Sequence, residues 1–188
     1  HEEKAPLQPA VQDFFHHRIA EAIQEMQSEH VDQGAIIWKL YNHAFIVKTA
    51  SVTLGFDIQR GAVGIPAFML SDTLMQQLAD IIDVLFISHN HPDHFDLPFT
   101  EMVLARHKPV ITPPDLWTDQ PIYNQLIHLD KNAEKSQSVP LPLKNSNLTV
   151  IVYPGHQGDD LLNNVYLVST TEDMTFVHTG DQSNSKDF

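Results

Sequence analysis

Asp83-Val84-Leu85-Phe86-Ile87-Ser88 runs without a break into His89-Asn90-His91-Pro92-Asp93-His94. The first six residues form a short apolar run bounded by polar ones, which suits a strand buried on both faces. Four of the next six are imidazole or carboxylate donors. In extended backbone, residues i and i+2 point to the same side, so His89 and His91 can share one metal ion. Pro92 fixes a turn, after which Asp93 and His94 can face a second ion beside the first. A surface histidine cluster is the bland alternative, but such clusters seldom follow a core strand and interleave a carboxylate. The pattern therefore reads as a metal site.

Composition narrows what that site can be. The 188 residues include 12 His and no Cys. Disulfides, thiolate catalysis and cysteine-type zinc sites are excluded, so any metal is held by imidazole and carboxylate. The formal charge of −13 makes nucleic acid or an anionic membrane surface an unfavoured partner. No apolar run approaches the roughly 18 residues of a membrane span. The chain begins at His1 rather than Met, and no signal peptide is visible. The expectation is a processed or cut N-terminus, with a periplasmic or secreted location compatible, a cytoplasmic one left open, and the compartment unknown.

Upstream of the decisive stretch, Val11, Phe14, Phe15, Ile19, Ala22, Ile23 and Met26 follow helical spacing, with Pro9 near the start. The spacing predicts an amphipathic helix over 11–26 that covers the body of its own domain. From Ala35 the period changes. Strands are predicted over 36–40, 44–47 and 52–58, with Tyr41-Asn42-His43 connecting the first two, and Ser71-Asp72 opens a helix through Ala79.

Downstream, Pro98 opens a helix to His107 and a strand follows at 110–112. A further helix is predicted over 115–127, then a polar loop over 131–138. A strand over 148–153 is expected to end at Pro154-Gly155-His156. The segments 164–170 and 174–178 read as a hairpin turned at Thr171-Glu172-Asp173. Strands with interspersed helices give an α/β (α+β) layout with mixed sheets. His156 and Asp181 each follow a predicted strand, and beside the cluster both become ligand candidates. His178 reads as a strand-end histidine or a residue supporting the site, and His1, His16, His17, His30, His107 and His128 as surface positions.

These motifs resemble the metallo-β-lactamase superfamily. Asp57 in Leu54-Gly-Phe-Asp57, the His89–His94 block, His156 in Pro154-Gly-His156 and Asp181 in Thr179-Gly-Asp181 match that family's first four motifs in order. The resemblance runs from about Ala35 onward. It divides the chain into an N-terminal amphipathic helical segment, 1–30, and a metallo-β-lactamase-like domain, 31–188. Tyr41-Asn42-His43-Ala44-Phe45 looks like the branch containing L-ascorbate-6-phosphate lactonase and N-acyl-phosphatidylethanolamine phospholipase D, except that Asn42 stands where that branch has Gly.

The resemblance implies a four-layer αββα sandwich with two divalent metal ions at one edge, zinc first and manganese or iron as alternatives. His89, His91 and His156 would hold one ion, Asp93 and His94 the other, with Asp181 bridging and Asp57 bracing the site. Two such ions lower the pKa of water toward neutrality and polarise the oxygen under attack, and Asp93 can accept a proton during that attack. His43 stands between supporting the site and being a turn residue.

The family's last motif, a His well after the bridging Asp, has no counterpart in residues 182–188. The expectation is therefore that the C-terminal part of the sandwich is missing from this chain, as in a fragment. The expected activity is a metal-dependent hydrolase acting on an ester-like bond of a small-molecule substrate, a lactone, carboxylic ester or phosphodiester. A non-catalytic, metal-stabilised binding or assembly module is the alternative, with an oligomer left open. Di-iron redox chemistry ranks last, no flavin-binding segment being visible.

Overall fold

The computed structural model describes residues 2–158 and 161–183, and His1 lies outside them. Among the described residues a first sheet runs β1 (Ile36–Lys39), β2 (Phe45–Lys48), β3 (Thr53–Phe56), β4 (Val84–Phe86) and β5 (Val110–Ile111) in that spatial order. The β1–β2 and β2–β3 pairs are antiparallel, and β3–β4 and β4–β5 are parallel. A second, antiparallel sheet runs β6 (Gln137–Leu141), β7 (Ser146–Gln157), β8 (Leu161–Ser169) and β9 (Thr175–His178). The helices are α1 (Pro9–Ser28), α2 (Asp72–Ile81) and α3 (Leu97–Leu104).

Period-two alternation sorts the strand side chains into two cores. Leu54, Phe56, Val84, Phe86 and Ile111 face the second sheet, whose Val139, Val150, Val152, Tyr166 and Val168 close that space. On the opposite face, Ile46, Leu85, Ile87 and Val110 meet Ile19, Ile23 and Met26 of α1, Met75 and Leu78 of α2, and Phe99 and Val103 of α3. The layers are helices, sheet, sheet. β3 and β4 are buried along their whole length, which is why DVLFIS shows no alternation. No helix among the described residues is long and apolar enough to cross a membrane.

Helix α1 shares the helix-side core rather than standing apart from it. Glu25 Oε2 accepts from Trp38 Nε1 at 2.9 Å, and Lys48 Nζ donates to the carbonyls of Met26 and Glu29 at 2.8 and 2.7 Å, satisfying the end of the helix. Phe15 stacks on Phe68 at 4.2 Å and meets Tyr41 edge-on at 5.4 Å. The helix thereby braces the β1–β2 loop, which carries Asn42 and His43. Phe14, expected on the apolar stripe, is exposed.

Three local expectations are corrected. The segment 115–127 forms turns and a single 3₁₀ turn over Tyr123–Gln125 instead of a helix. Trp117 sits at φ 58° and Pro121 lacks an N–H, so neither continues a helix, and Leu116, Ile122 and Leu126 are buried from irregular backbone. The loop expected over 131–138 is present only as far as residue 136, where edge strand β6 takes over; Pro140 is tolerated there because β6 lies at the edge of its sheet. β7 does not stop at Pro154-Gly155 but continues to Gln157, each residue registered against β8.

At the end of the sandwich away from the His89–His94 segment, Glu172 in the β8–β9 turn ties the sheets together. Its carboxylate accepts from Ser51 N and Oγ, both at 2.6 Å, and from Thr49 Oγ1 at 3.0 Å. Burial pushes its pKa up, but hydrogen bonds from Ser51, Thr170 and its own backbone together outweigh that and hold it down at about 2, against an ordinary 4.5. The stabilisation is present above the ordinary value and lost as pH falls from there toward about 2. Glu172→Gln is expected to cost about 1 kcal/mol at pH 7, since the group is exposed. The gap from wild type in urea unfolding should narrow as pH is lowered from 4.5.

Candidate metal centre

The site lies beyond the C-terminal ends of the parallel strands, where chain direction places successive loops side by side. Asp57 follows β3, and Ser88 through His94 follow β4. Because β2 runs antiparallel to β3, Phe45 pairs with Phe56, and the Asn42-His43 turn before β2 lands beside Asp57. The second sheet joins at the same edge. Asn164 N donates to Ser88 O at 2.8 Å, and His89 bridges to Asn163. Asn163 Nδ2 donates to Thr179 O at 2.8 Å, which positions Gly180 and Asp181 just after β9.

Asp57 is fully buried and anchors the floor. It accepts from Ser88 N and Ser88 Oγ, each at 2.7 Å, and faces His94 Nδ1 at 2.8 Å and His178 Nε2 at 2.7 Å. Burial alone raises its pKa, but the charges and hydrogen bonds of His178 and His94 prevail and hold it well below the usual carboxylate range. For His94, burial opposes protonation, yet the Asp57 hydrogen bond and the charges of Asp57, Asp181 and Asp93 together outweigh it and the pKa rises. His89 has no such carboxylate; burial, then the neighbouring His94, lower it to about 4.

His89 and His94 show the same division of labour between their ring nitrogens. His89 Nδ1 is 2.9 Å from Ser88 Oγ and His94 Nδ1 is held by Asp57, while both Nε2 atoms are buried without a hydrogen bond among the described residues. A buried nitrogen left open while its ring partner is fixed by oxygen is how imidazole is presented to a cation. The residues fit divalent ions of the zinc, manganese or iron type, whose ligand preferences include imidazole and carboxylate.

Two groups of three donors have ligand atoms within 4.8 Å of one another: His89, His91 and Asp181, and His43, His94 and Asp181. Asp181 belongs to both. Asp93 stands over the second group, its Oδ2 3.6 Å from His43 Nε2 and 3.9 Å from His94 Nε2, and its Oδ1 3.3 Å from His91 Nδ1. Asn42 Nδ2 donates to Asp93 Oδ2 at 2.9 Å, and Gln157 Nε2 donates to Asp181 Oδ2 at 2.7 Å. His156 is not in either group. It lies within β7 opposite Leu162, its N–H donating to Gln182 Oε1 at 3.0 Å.

Asn42 occupies φ 51°, a left-handed position that Asn tolerates better than most residues, which accounts for Asn where the resembled branch has Gly. Its amide also steadies Asp93. Of the residues the sequence left undecided, His43 enters the cluster and His178 braces Asp57. Ser88 and Gln157 carried no motif; only the approach of β4, β7 and the segment after β9 shows what they hold.

No family model matches the sequence, and no curated protein matches it. Among solved structures, the chain is similar to Igni18, a metallo hydrolase from the hyperthermophilic archaeon Ignicoccus hospitalis. Identity is 13% and TM-score 0.52, with 81% of this chain covering 63% of that one. It is also similar to CmlA, a diiron beta-hydroxylase from Streptomyces venezuelae, at 18% identity and TM-score 0.53, with 85% of this chain covering 32% of that one. The chain thus spans under two thirds of either length. The likenesses and the order of the layers show the fold: a metallo-β-lactamase-type αββα sandwich, of which the described residues supply one helical layer and both sheets.

Proposed function

We propose that this chain carries the metal centre of a hydrolase that attacks an ester-like bond, in a lactone, a carboxylic ester or a phosphodiester. The observation behind the reading is Asp181, one carboxylate common to two groups of three donors. His89, His91 and His156 would hold one ion and Asp93 and His94 the other, with Asp181 between them. When bound, such ions supply an activated water at neutral pH and polarise the oxygen under attack.

The chain's own residues do the rest. Asp57 fixes His94, Ser88 fixes His89, and Asn42 and Gln157 orient Asp93 and Asp181. Asp93, over a third exposed, can take a proton from water at the mouth of the site. The test is metal analysis of protein purified without chelator, alongside a panel of lactones, esters and phosphodiesters. Two equivalents of metal and turnover that falls about 10²–10⁴-fold in Asp93→Ala are expected. Metal-free protein, or turnover unchanged in Asp93→Ala, would overturn the reading. The likeness to a diiron hydroxylase favours a second reading, redox chemistry at the same donors; iron in place of zinc or manganese, with no hydrolysis across the panel, would support it.

A further inference from the structure

We infer that His43, on the β1–β2 loop, is itself a metal ligand, supplying the second imidazole of the ion taken by His94. The inference rests on the metal-centre reading above and assigns a ligand that the family's motifs do not include. Two donors each about 2.0–2.1 Å from a tetrahedral ion lie roughly 3.4 Å apart. His43 Nδ1 and His94 Nε2 each stand 3.4 Å from the same oxygen, Asp181 Oδ1. The other carboxylate, Asp93 Oδ2, lies 3.6 Å from His43 Nε2 and 3.9 Å from His94 Nε2. The two 3.4 Å separations are too long for good hydrogen bonds and match His43 Nδ1, His94 Nε2 and Asp181 Oδ1 gathered around a shared cation, while Asp93 faces the other nitrogen of the His43 ring.

The His43 ring stacks on the His94 ring, centroids 4.1 Å apart and planes 18° apart, so His43 turns out of the stack for both in-plane lone pairs to meet one ion. His94 is fully buried and pinned by Asp57, whereas the His43 side chain is about 35% exposed and is the partner with room to turn. The left-handed turn at Asn42 delivers it to the site, and Tyr41, packed against Phe15 and Phe68, anchors the loop. With His94 and Asp181, His43 makes a three-donor set.

The absence of cysteine gives a direct test. His43→Cys loaded with Co(II) should show a near-ultraviolet thiolate-to-cobalt charge-transfer band, and no other residue in the chain can produce one. His43→Ala, checked for native melting, should lose one equivalent of Zn(II) in equilibrium dialysis, or bind it at least a hundredfold more weakly, and keep the other. Co(II) bound to His43→Cys without the band, or Zn(II) stoichiometry and affinity in His43→Ala equal to wild type, would overturn the inference while leaving the metal centre standing. Wild type that takes up neither Co(II) nor Zn(II) would overturn both.

Discussion

Asp57→Asn is expected to destabilise the protein by about 3–5 kcal/mol, the range for removing one partner of a buried charged network. The carboxylate is fully buried and meets four donors or ring nitrogens, from Ser88 N, Ser88 Oγ, His94 and His178, at 2.7–2.8 Å. An amide offers one acceptor oxygen and turns two N–H groups toward atoms that need acceptors, so at least one buried donor is stranded. Urea unfolding in chelator isolates this loss from any contribution of bound metal. The pH dependence has a definite sign. Asp57 titrates well below its ordinary 3.8, so its contribution is present above that value and is lost as pH falls below it. The gap between wild type and variant should therefore narrow only in strong acid. A second readout follows from His94: released from Asp57, its ring is no longer oriented, and metal affinity should drop about 10–100-fold, as when an outer partner of a ligating His is removed. A variant within 1 kcal/mol of wild type would mean that Asp57 does not hold the floor of the site.

The sequence disclosed the parts of this site that are contiguous. His89 through His94 stand in one stretch, and the short apolar run before them suits a buried strand, so the strand and its donors were readable together. His43 and His178 were not, because their roles come from β2 running antiparallel to β3 and from the second sheet closing over Asp57, and neither registry is written locally. Elsewhere the misreadings have physical causes. Pro154-Gly155 reads as a stop, yet Gly155 is there because a Cβ would run into the Gln182 side chain and stand 2.9 Å from Asn163 O. That is the signature of close backbone approach within a long strand rather than of a turn. β6 escaped notice since an edge strand tolerates Pro140 and polar Gln137 and Ser138. The 115–127 segment has helix-like apolar spacing, but Pro121 breaks it.

The same geometry explains why both sheets are needed for one metal edge. β3 and β4 present Asp57 and the histidine block, but Asp181, the donor common to both groups, arrives only after β9. Its position depends on Asn163, which spans from the His89 bridge to Thr179 O. Tyr166 reinforces that seam deeper in the core, its hydroxyl donating to Ile87 O at 2.8 Å and accepting from Asn164 Nδ2 at 2.9 Å. Damage to the seam should therefore reach the donors from both sides at once.

Gly180→Ala provides the sharpest way to do that damage. Gly180 sits at φ 52°, a left-handed conformation that costs an L-residue about 1–2 kcal/mol. A Cβ there would collide with Asn163 Oδ1 and stand 2.6 Å from both Cβ and Oγ of Ser88. Ser88 cannot retreat cheaply, because its Oγ is bonded to Asp57 and to His89 Nδ1 and its N–H to Asp57. Overpacking of this kind adds about 1–3 kcal/mol, giving about 2–5 kcal/mol together. For a domain of this size that corresponds to a melting temperature roughly 5–15 °C lower. Gly64→Ala separates the two contributions: Gly64 has φ 78° but nothing within 4 Å of a Cβ, so it bears the backbone cost alone. Thermal unfolding should place Gly180→Ala well below Gly64→Ala, and Zn(II) dialysis should show weakened binding only in Gly180→Ala, where Ser88 and Asp181 are both pushed. Equal melting of the two variants would show that Ser88 and Asn163 yield to a methyl group, and that the seam between the sheets does not fix Asp181.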